Sequence, residues 1–224
     1  MQRFNKKEYT DARKRIRTFI KKHHRPPHYC AFKNQQGKTI DLTTEEFNGL
    51  FEGYMQFCLK NGREPNYLTL TSKAKNSPLV LNYQDDKYSC CPASFVMAMM
   101  FLFEYKSEAT VKKTLGTTTN GTSPDKLIIG AKKLGYKVTR IGREFRLVKQ
   151  ALSEYKPVLM HIQTKPAKCL NYLHDYGHWV LCYKVGDNTY YIADPTKGFK
   201  KCNFVEINRA TNGRKIYYYT VEMM

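Results

Sequence analysis

The chain has 224 residues, 42% of them hydrophobic and 13% aromatic, which excludes a disordered protein and leaves room for one full core or a medium domain with a small module. Its 38 Lys and Arg against 19 Asp and Glu give a net charge of +19, a balance that favours polyanionic partners: nucleic acid, an acidic membrane surface or a wall polymer carrying carboxylates. No apolar run reaches the length of a membrane span, and no apolar segment follows the charged start, so neither a spanning helix nor a secretory leader is expected.

Residues 1–25 hold ten Lys or Arg against Glu8 and Asp11. Within them, residues 9–24 read as a helix whose apolar face is Ala12, Ile16, Phe19 and Ile20 and whose remaining surface is basic. Pro26 and Pro27 end it. A second helix follows Thr43, which forms a capping box with Glu46; Phe47, Leu50, Phe51, Tyr54, Met55 and Cys58 then recur at helical spacing, and Asn61 and Gly62 close the helix. The two helix exits resemble each other at an offset of 38 residues, with Arg25-x-Pro27-x-Tyr29 matching Arg63-x-Pro65-x-Tyr67. That pattern is either two similar helix stops or a short repeat in one full and one partial copy. A polar link at 71–78 separates this region from the rest, giving modules over 1–75 and 76–224.

The second module begins with a helix from Pro92 to about Tyr105 that is apolar all round and therefore central to a core. Ser123, Pro124 and Gly135 mark the start and stop of another helix, and 143–155 of a third. Strands are expected at 136–141, 157–163, 178–185, 189–194, 202–207 and 214–223, with Gly186, Asp187 and Asn188 as a hairpin turn. Helices followed by antiparallel strands make an α+β domain. The seven cysteines are irregularly spaced with no C-x2-C pair, so they read as free thiols of a reducing compartment rather than a zinc site, and no metal or other cofactor is expected.

Cys90 and Cys91 precede Pro92 at the mouth of the apolar helix, where unpaired N–H groups and the helix dipole favour a thiolate. A thiol nucleophile also needs a base, an orienting group and donors for the oxyanion. Gln84 lies six residues before Cys90, placed to complete an oxyanion hole with that residue's own N–H. His178 starts one strand and Asp194 ends the next; if the hairpin pairs them, the two become neighbours and the carboxylate fixes the imidazole tautomer. His174 is a rival base, Asp175 and Asp187 rival orienters, and Trp179 either covers the histidine–aspartate pair, walls the cleft or packs in the core.

The order Gln84, Cys90, His178, Asp194 resembles that of the papain-like cysteine peptidases, and the segments "YQDDKYSCCPASFVMAM", "GHWVLCYKV" and "YYIADPTKG" are similar to the branch containing the bacteriocin-leader peptidases. The resemblance implies a papain-like fold, with a central helix packed on an antiparallel sheet, and makes Cys90 the nucleophile, because Cys91 fills that branch's glycine slot. The segment "FNGLFEGYMQFCLKNGREPNYLTL" resembles a pseudomurein-binding repeat, and the whole layout resembles the pseudomurein endoisopeptidases of viruses and proviruses of methanogenic archaea. It implies a small helical wall-binding module, with Arg63, Asn66, Tyr67 and Trp179 as substrate contacts. It also implies cleavage of the alanine–ε-lysine isopeptide bond in pseudomurein cross-links by a monomer released from the host cytoplasm without a leader. The competing readings are a cysteine peptidase acting on murein or a leader peptide, and a basic nucleic-acid-binding protein without enzymatic activity.

Overall fold

The amphipathic pattern at the start of the chain builds a helix, α1 (Lys6–His23), whose Asn5 side chain caps Glu8 N–H at 2.9 Å. The computed structural model describes residues 2–71, 73, 78–210 and 217–224. Strand β1 (Arg3–Asn5) leads into α1, and β2 (Tyr29–Lys33) follows it. The same order then repeats as β3 (Thr39–Thr43), α2 (Thr44–Asn61) and β4 (Tyr67–Thr69). The capping box of Thr43 and Glu46 is present, and both helices close on a left-handed residue, His24 at φ 54° and Gly62 at φ 64°.

Every landmark of the first copy recurs 38 residues later: the N-caps Asn5 and Thr43, the two 18-residue helices, and the left-handed caps. Pairing crosses between the copies. β1 runs antiparallel to β4 with Asn5 opposite Tyr67, and β2 runs antiparallel to β3 with Tyr29 opposite the equivalent Thr43. The chain start is therefore a twofold arrangement of two complete strand–helix–strand copies, not one full and one partial copy, and the expected helical module carries four strands. These strands escaped the sequence reading because they are three to five residues long and bury only alternate side chains. Each copy holds the other's exit: Tyr9 Oη donates to the Pro65 carbonyl at 2.5 Å and Thr44 Oγ1 to the Pro27 carbonyl at 2.7 Å. The copies differ in charge, since α1 carries eight basic and two acidic residues and α2 one basic and three acidic.

The chain forms two compact units, one of residues 1–80 with 99–107 and one of residues 81–98 with 108–224. Most of the expected link at 71–78 lies outside the described residues. The sequence held no sign that 99–107 joins the first unit, where Phe103 packs edge-on against Phe51 at 5.5 Å.

Helix α3, which opens the second unit, runs Cys90–Phe101 with its last turn in the first unit, two residues earlier at its start than the Pro92 reading and ending before Tyr105, with Phe103 left-handed at φ 61° beyond its end. Helices α4 (Glu108–Leu115), α5 (Pro124–Lys133) and α6 (Phe145–Ser153) follow, α4 being one the sequence reading passed over. The sheet has six antiparallel strands in the order β5 (Tyr136–Ile141), β10 (Tyr218–Met223), β6 (Val158–Gln163), β7 (Gly177–Gly186), β8 (Thr189–Asp194) and β9 (Gly198–Asn203). Residues 214–216 of the last expected strand lie outside the described residues. The strand expected at 202–207 is corrected: Asn203 Oδ1 accepts Val205 N–H at 2.8 Å and turns the chain into a short helix, α7 (Phe204–Arg209), that buries Ile207. Ser94 Oγ donates to the Trp179 carbonyl at 2.9 Å, fixing the first half of α3 to the middle of the sheet. Cys169 and Cys202 form a disulfide with Cα atoms 5.4 Å apart, so the reading of seven free thiols is also corrected. Five cysteines remain free. No helix among the described residues is long and apolar enough to cross a membrane.

Candidate active site

Hairpin β7–β8 turns at Asp187 and Asn188, with Gly186 opposite Thr189, and so brings the start of β7 beside the end of β8. His178 Nε2 lies 3.0 Å from Asp194 Oδ1, with the two side chains 2% and 0% exposed. The chain turns at once after Asp194, and its Oδ1 accepts the N–H groups of Thr196 at 2.8 Å and Lys197 at 3.1 Å, which pins the carboxylate against rotation. Cys90 and His178 line the same cavity. With Nε2 turned to Asp194, Nδ1 is the nitrogen left to meet the sulfur.

A segment of exact hydrogen bonding delivers Gln84 and Cys90 to the same place. Glu108 of α4, a buried carboxylate, accepts Asn82 Nδ2 at 2.7 Å and Asp85 N–H at 2.9 Å, one residue to either side of Tyr83 and Gln84. Gln84 N–H donates to the Pro195 carbonyl at 2.9 Å, Thr196 Oγ1 donates to Gln84 Oε1 at 3.0 Å, and Gln84 Nε2 donates to the Asp86 carbonyl at 2.6 Å. Asp86 Oδ1 accepts Tyr88 N–H and Ser89 Oγ–H, both at 2.8 Å, and Lys112 pairs with its other oxygen. These partners, Lys112 first, hold the Asp86 carboxyl down at about 2. The chain thus enters α3 over a rigid turn, and Cys90 is its first residue.

A cavity of about 540 Å³ is lined by Gln84, Cys90 and His178, with Lys87, Tyr88, Thr119–Gly121, Tyr176 and Thr196 around them. Cys91 is fully buried, and burial and the adjacent Cys90 push its thiol well above the ordinary range. Of the two adjacent thiols, Cys90 is therefore the one that faces the cavity. Trp179 does not line it. Strand alternation turns its side chain to the face opposite His178, where it stacks on His161 at 4.5 Å, donates to the Thr122 carbonyl at 3.3 Å and is 2% exposed. Trp179 is thus a core residue. Asp187 lies in the hairpin turn at the far end of β7, and Asp175 accepts Lys165 N–H at 3.3 Å on an exposed loop. The His174 carbonyl accepts Thr164 Oγ1–H at 2.7 Å, and its side chain is exposed outside the cavity lining. Arg63, Asn66 and Tyr67 belong to the first unit and are exposed there, Arg63 with its guanidinium 5.2 Å from the Phe57 ring centroid.

Sequence reasoning missed three residues of the site. Tyr172 Oη reaches both Asp194 oxygens at 2.9 Å and His178 Nε2 at 3.1 Å. Tyr176 stands edge-on to the His178 ring with centroids 6.2 Å apart, and Thr196 anchors Gln84. Both tyrosines precede His178 in "NYLHDYGHWV", and that density of phenols was the available signal.

Burial alone would lower the His178 pKa, yet the hydrogen bonds and charges of Asp194 and Cys90 outweigh it and raise the imidazole to about 9. Burial also opposes ionisation of Asp194, but His178, the Thr196 N–H and Tyr172 hold its carboxyl below the ordinary value. The imidazolium therefore persists through neutrality. Cleavage is expected to fall as pH rises through about 9, where His178 loses its proton, and a rate profile against a peptide substrate checks it.

A buried histidine–carboxylate pair, a cavity-facing thiol at a helix mouth and an antiparallel sheet together define a papain-like cysteine peptidase. Residues 79–213 match the model of the Peptidase C39 family, and the chain belongs to that family. The unit resembles the peptidase domain of Streptococcus ComA, a bifunctional ABC transporter of a quorum-sensing pathway, at 18% identity and a TM-score of 0.51 over 64% of this chain and 98% of that one. It resembles a C39-like peptidase from Bacillus anthracis at 12% identity and a TM-score of 0.51 over 63% of this chain and 94% of that one. At such identities the likeness shows the fold. No curated protein matches the chain.

Proposed function

We propose that this C39 peptidase cleaves the alanine–ε-lysine isopeptide cross-links of pseudomurein, with Cys90 as nucleophile, His178 as acid and base, Asp194 as orienter and Gln84 as oxyanion donor. The Cys90 thiolate attacks the alanine carbonyl carbon, and the Gln84 amide and the Cys90 N–H receive the oxyanion. The carbon–nitrogen bond breaks as the His178 imidazolium gives its proton to the lysine amine. Water, losing a proton to His178, then attacks the thioester, and the carbon–sulfur bond breaks to restore the thiolate and release the alanine carboxylate. These steps need no metal or other cofactor.

The observation that carries the wall assignment is the exit motif, repeated on both halves of the first unit with its arginine and tyrosine exposed on each. Arg25 and Arg63 each lie 5.2 Å over Phe19 and Phe57, and Tyr29 and Tyr67 are 65% and 48% exposed. Exposed guanidinium and phenol groups on a chain of +19 suit a polymer bearing glutamate and uronate carboxylates. Trp179 is left out of the substrate contacts because its side chain is buried. We place the action of the enzyme, as a monomer, at the cell wall after release from the host.

Incubation of purified pseudomurein sacculi with the reduced full-length protein tests this reading. The expected result is clearing with new free lysine ε-amines, and weaker sedimentation with sacculi for Arg63→Ala/Tyr67→Ala. Inert pseudomurein with cleavage of murein or of a leader peptide would replace the substrate and keep the enzyme. Inert substrates of all three kinds, with strongly salt-dependent DNA binding, would replace the enzyme as well.

A further inference from the structure

We propose that Tyr172 is a positioning residue of this site: its hydroxyl donates to Asp194 and keeps that carboxylate ionised and turned toward His178. The proposal rests on the cysteine-peptidase reading of the cleft. Asp194 is 0% exposed, so each of its oxygens needs a donor from the protein. Oδ1 has three besides Tyr172: His178 Nε2 and the N–H groups of Thr196 and Lys197. Oδ2 has only Tyr172 Oη, at 2.9 Å, among the described residues. The same hydroxyl oxygen lies 3.1 Å from His178 Nε2, so the one Nε2–H is shared between it and Asp194 Oδ1 while the hydroxyl gives its own proton to the carboxylate.

The backbone holds the phenol in place. A 3-10 turn, Lys168–Leu170, and left-handed Asn171 at φ 54° aim Tyr172 inward. The Cys169–Cys202 disulfide ties this turn to β9, and β9 pairs along β8 to Asp194 itself, with Gly198 opposite. The phenol and the carboxylate are thus fixed to one another through a short covalent and hydrogen-bonded circuit. The titratable and charged groups facing the pair are Cys90 from α3, His178 from β7, Tyr176 before β7, and Lys197 after β8, whose ammonium lies 5.1 Å from the Tyr172 ring centroid.

Removing the hydroxyl strands Oδ2 in a site closed to water, which favours the protonated carboxyl and weakens the hold on the imidazolium. The test is the pH dependence of Cys90 alkylation by iodoacetamide on the full chain, followed by peptide mass spectrometry, which needs no substrate. Wild type is expected to react at Cys90, which lines the cavity, and not at the enclosed Cys91. In Tyr172→Phe the acid limb of the profile should move up by about one pH unit, so that the rate at a fixed pH on the limb falls about tenfold while the plateau rate holds. Fluorotyrosine at position 172, a stronger donor, should move the limb the other way. A merely structural phenol would lower the plateau or the melting temperature without moving the limb, and an unmoved limb in both variants overturns the proposal. A wild type whose Cys90 is not alkylated at any pH would instead sink the peptidase reading, whatever Tyr172 does.

Discussion

Cys90→Ala is expected to lose cleavage by roughly 10⁴-fold or more, while Cys91→Ala stays within about threefold of the wild type. The two thiols are adjacent in sequence and opposite in circumstance. Cys90 lines the cavity with His178 and Gln84. Cys91 is sealed from solvent, and burial keeps its thiol protonated. A protonated, enclosed sulfur can neither attack a carbonyl nor receive one. Alanine at 90 removes the atom that forms the thioester, and what survives is the contribution of the binding groups alone. Alanine at 91 removes one small buried side-chain atom and leaves a void the core tolerates. Steady-state cleavage by both variants, with melting temperatures to establish folding, makes the comparison. Loss confined to Cys91→Ala would reverse the assignment and take Gln84 out of register with the nucleophile.

Gln84→Ala is expected to lower kcat by about 10²–10³ with KM nearly unchanged. The side-chain amide is held by Thr196 and the Asp86 carbonyl, the backbone N–H of Gln84 by the Pro195 carbonyl, and the segment carrying them is clamped by Glu108. Such a group pays its ordering cost in folding, so its N–H can meet the oxyanion without rearrangement. Its Nε2 gives one proton to the Asp86 carbonyl and has a second for the substrate. The charge it receives exists only in the tetrahedral state, which is why the loss should fall on kcat. A raised KM with kcat preserved would mean that Gln84 binds the ground state instead.

Much of this site could be read in the sequence, for reasons that particular residues make plain. His178 and Asp194 are joined by one tight hairpin, so local turn chemistry and strand period were enough to bring them together. Gln84 and Cys90 lie six residues apart, which made their proximity a local matter too. Tyr172 was different. Its inward course depends on the 3-10 turn and on the bond between Cys169 and Cys202, residues 33 apart with nothing in their spacing to pair them. Trp179 shows the limit of reading by neighbourhood, since one step along a strand reverses the face. The helix at 204–209 shows another: Asn203 and Glu206 are a helix start, but the apolar pattern around them also suits a strand. In the first unit the helices were legible from period and caps, whereas β1 and β4 gain their meaning only from each other, across 62 to 66 residues, and β2 and β3, though 6 to 14 residues apart, are too short to stand out by pattern.

The crossed pairing of that first unit has a consequence for how such modules can be counted. Each strand of one copy is completed by a strand of the other, β1 by β4 and β2 by β3, and each copy's exit carbonyl is bonded by its counterpart. A lone copy would present two open strand edges and the bare apolar side of its helix. Two lone copies could satisfy one another as these two do, as a homodimer whose symmetry axis replaces the covalent connection. The natural unit of this architecture is therefore the pair, and a chain with an odd number of copies would have to borrow its missing half from another molecule.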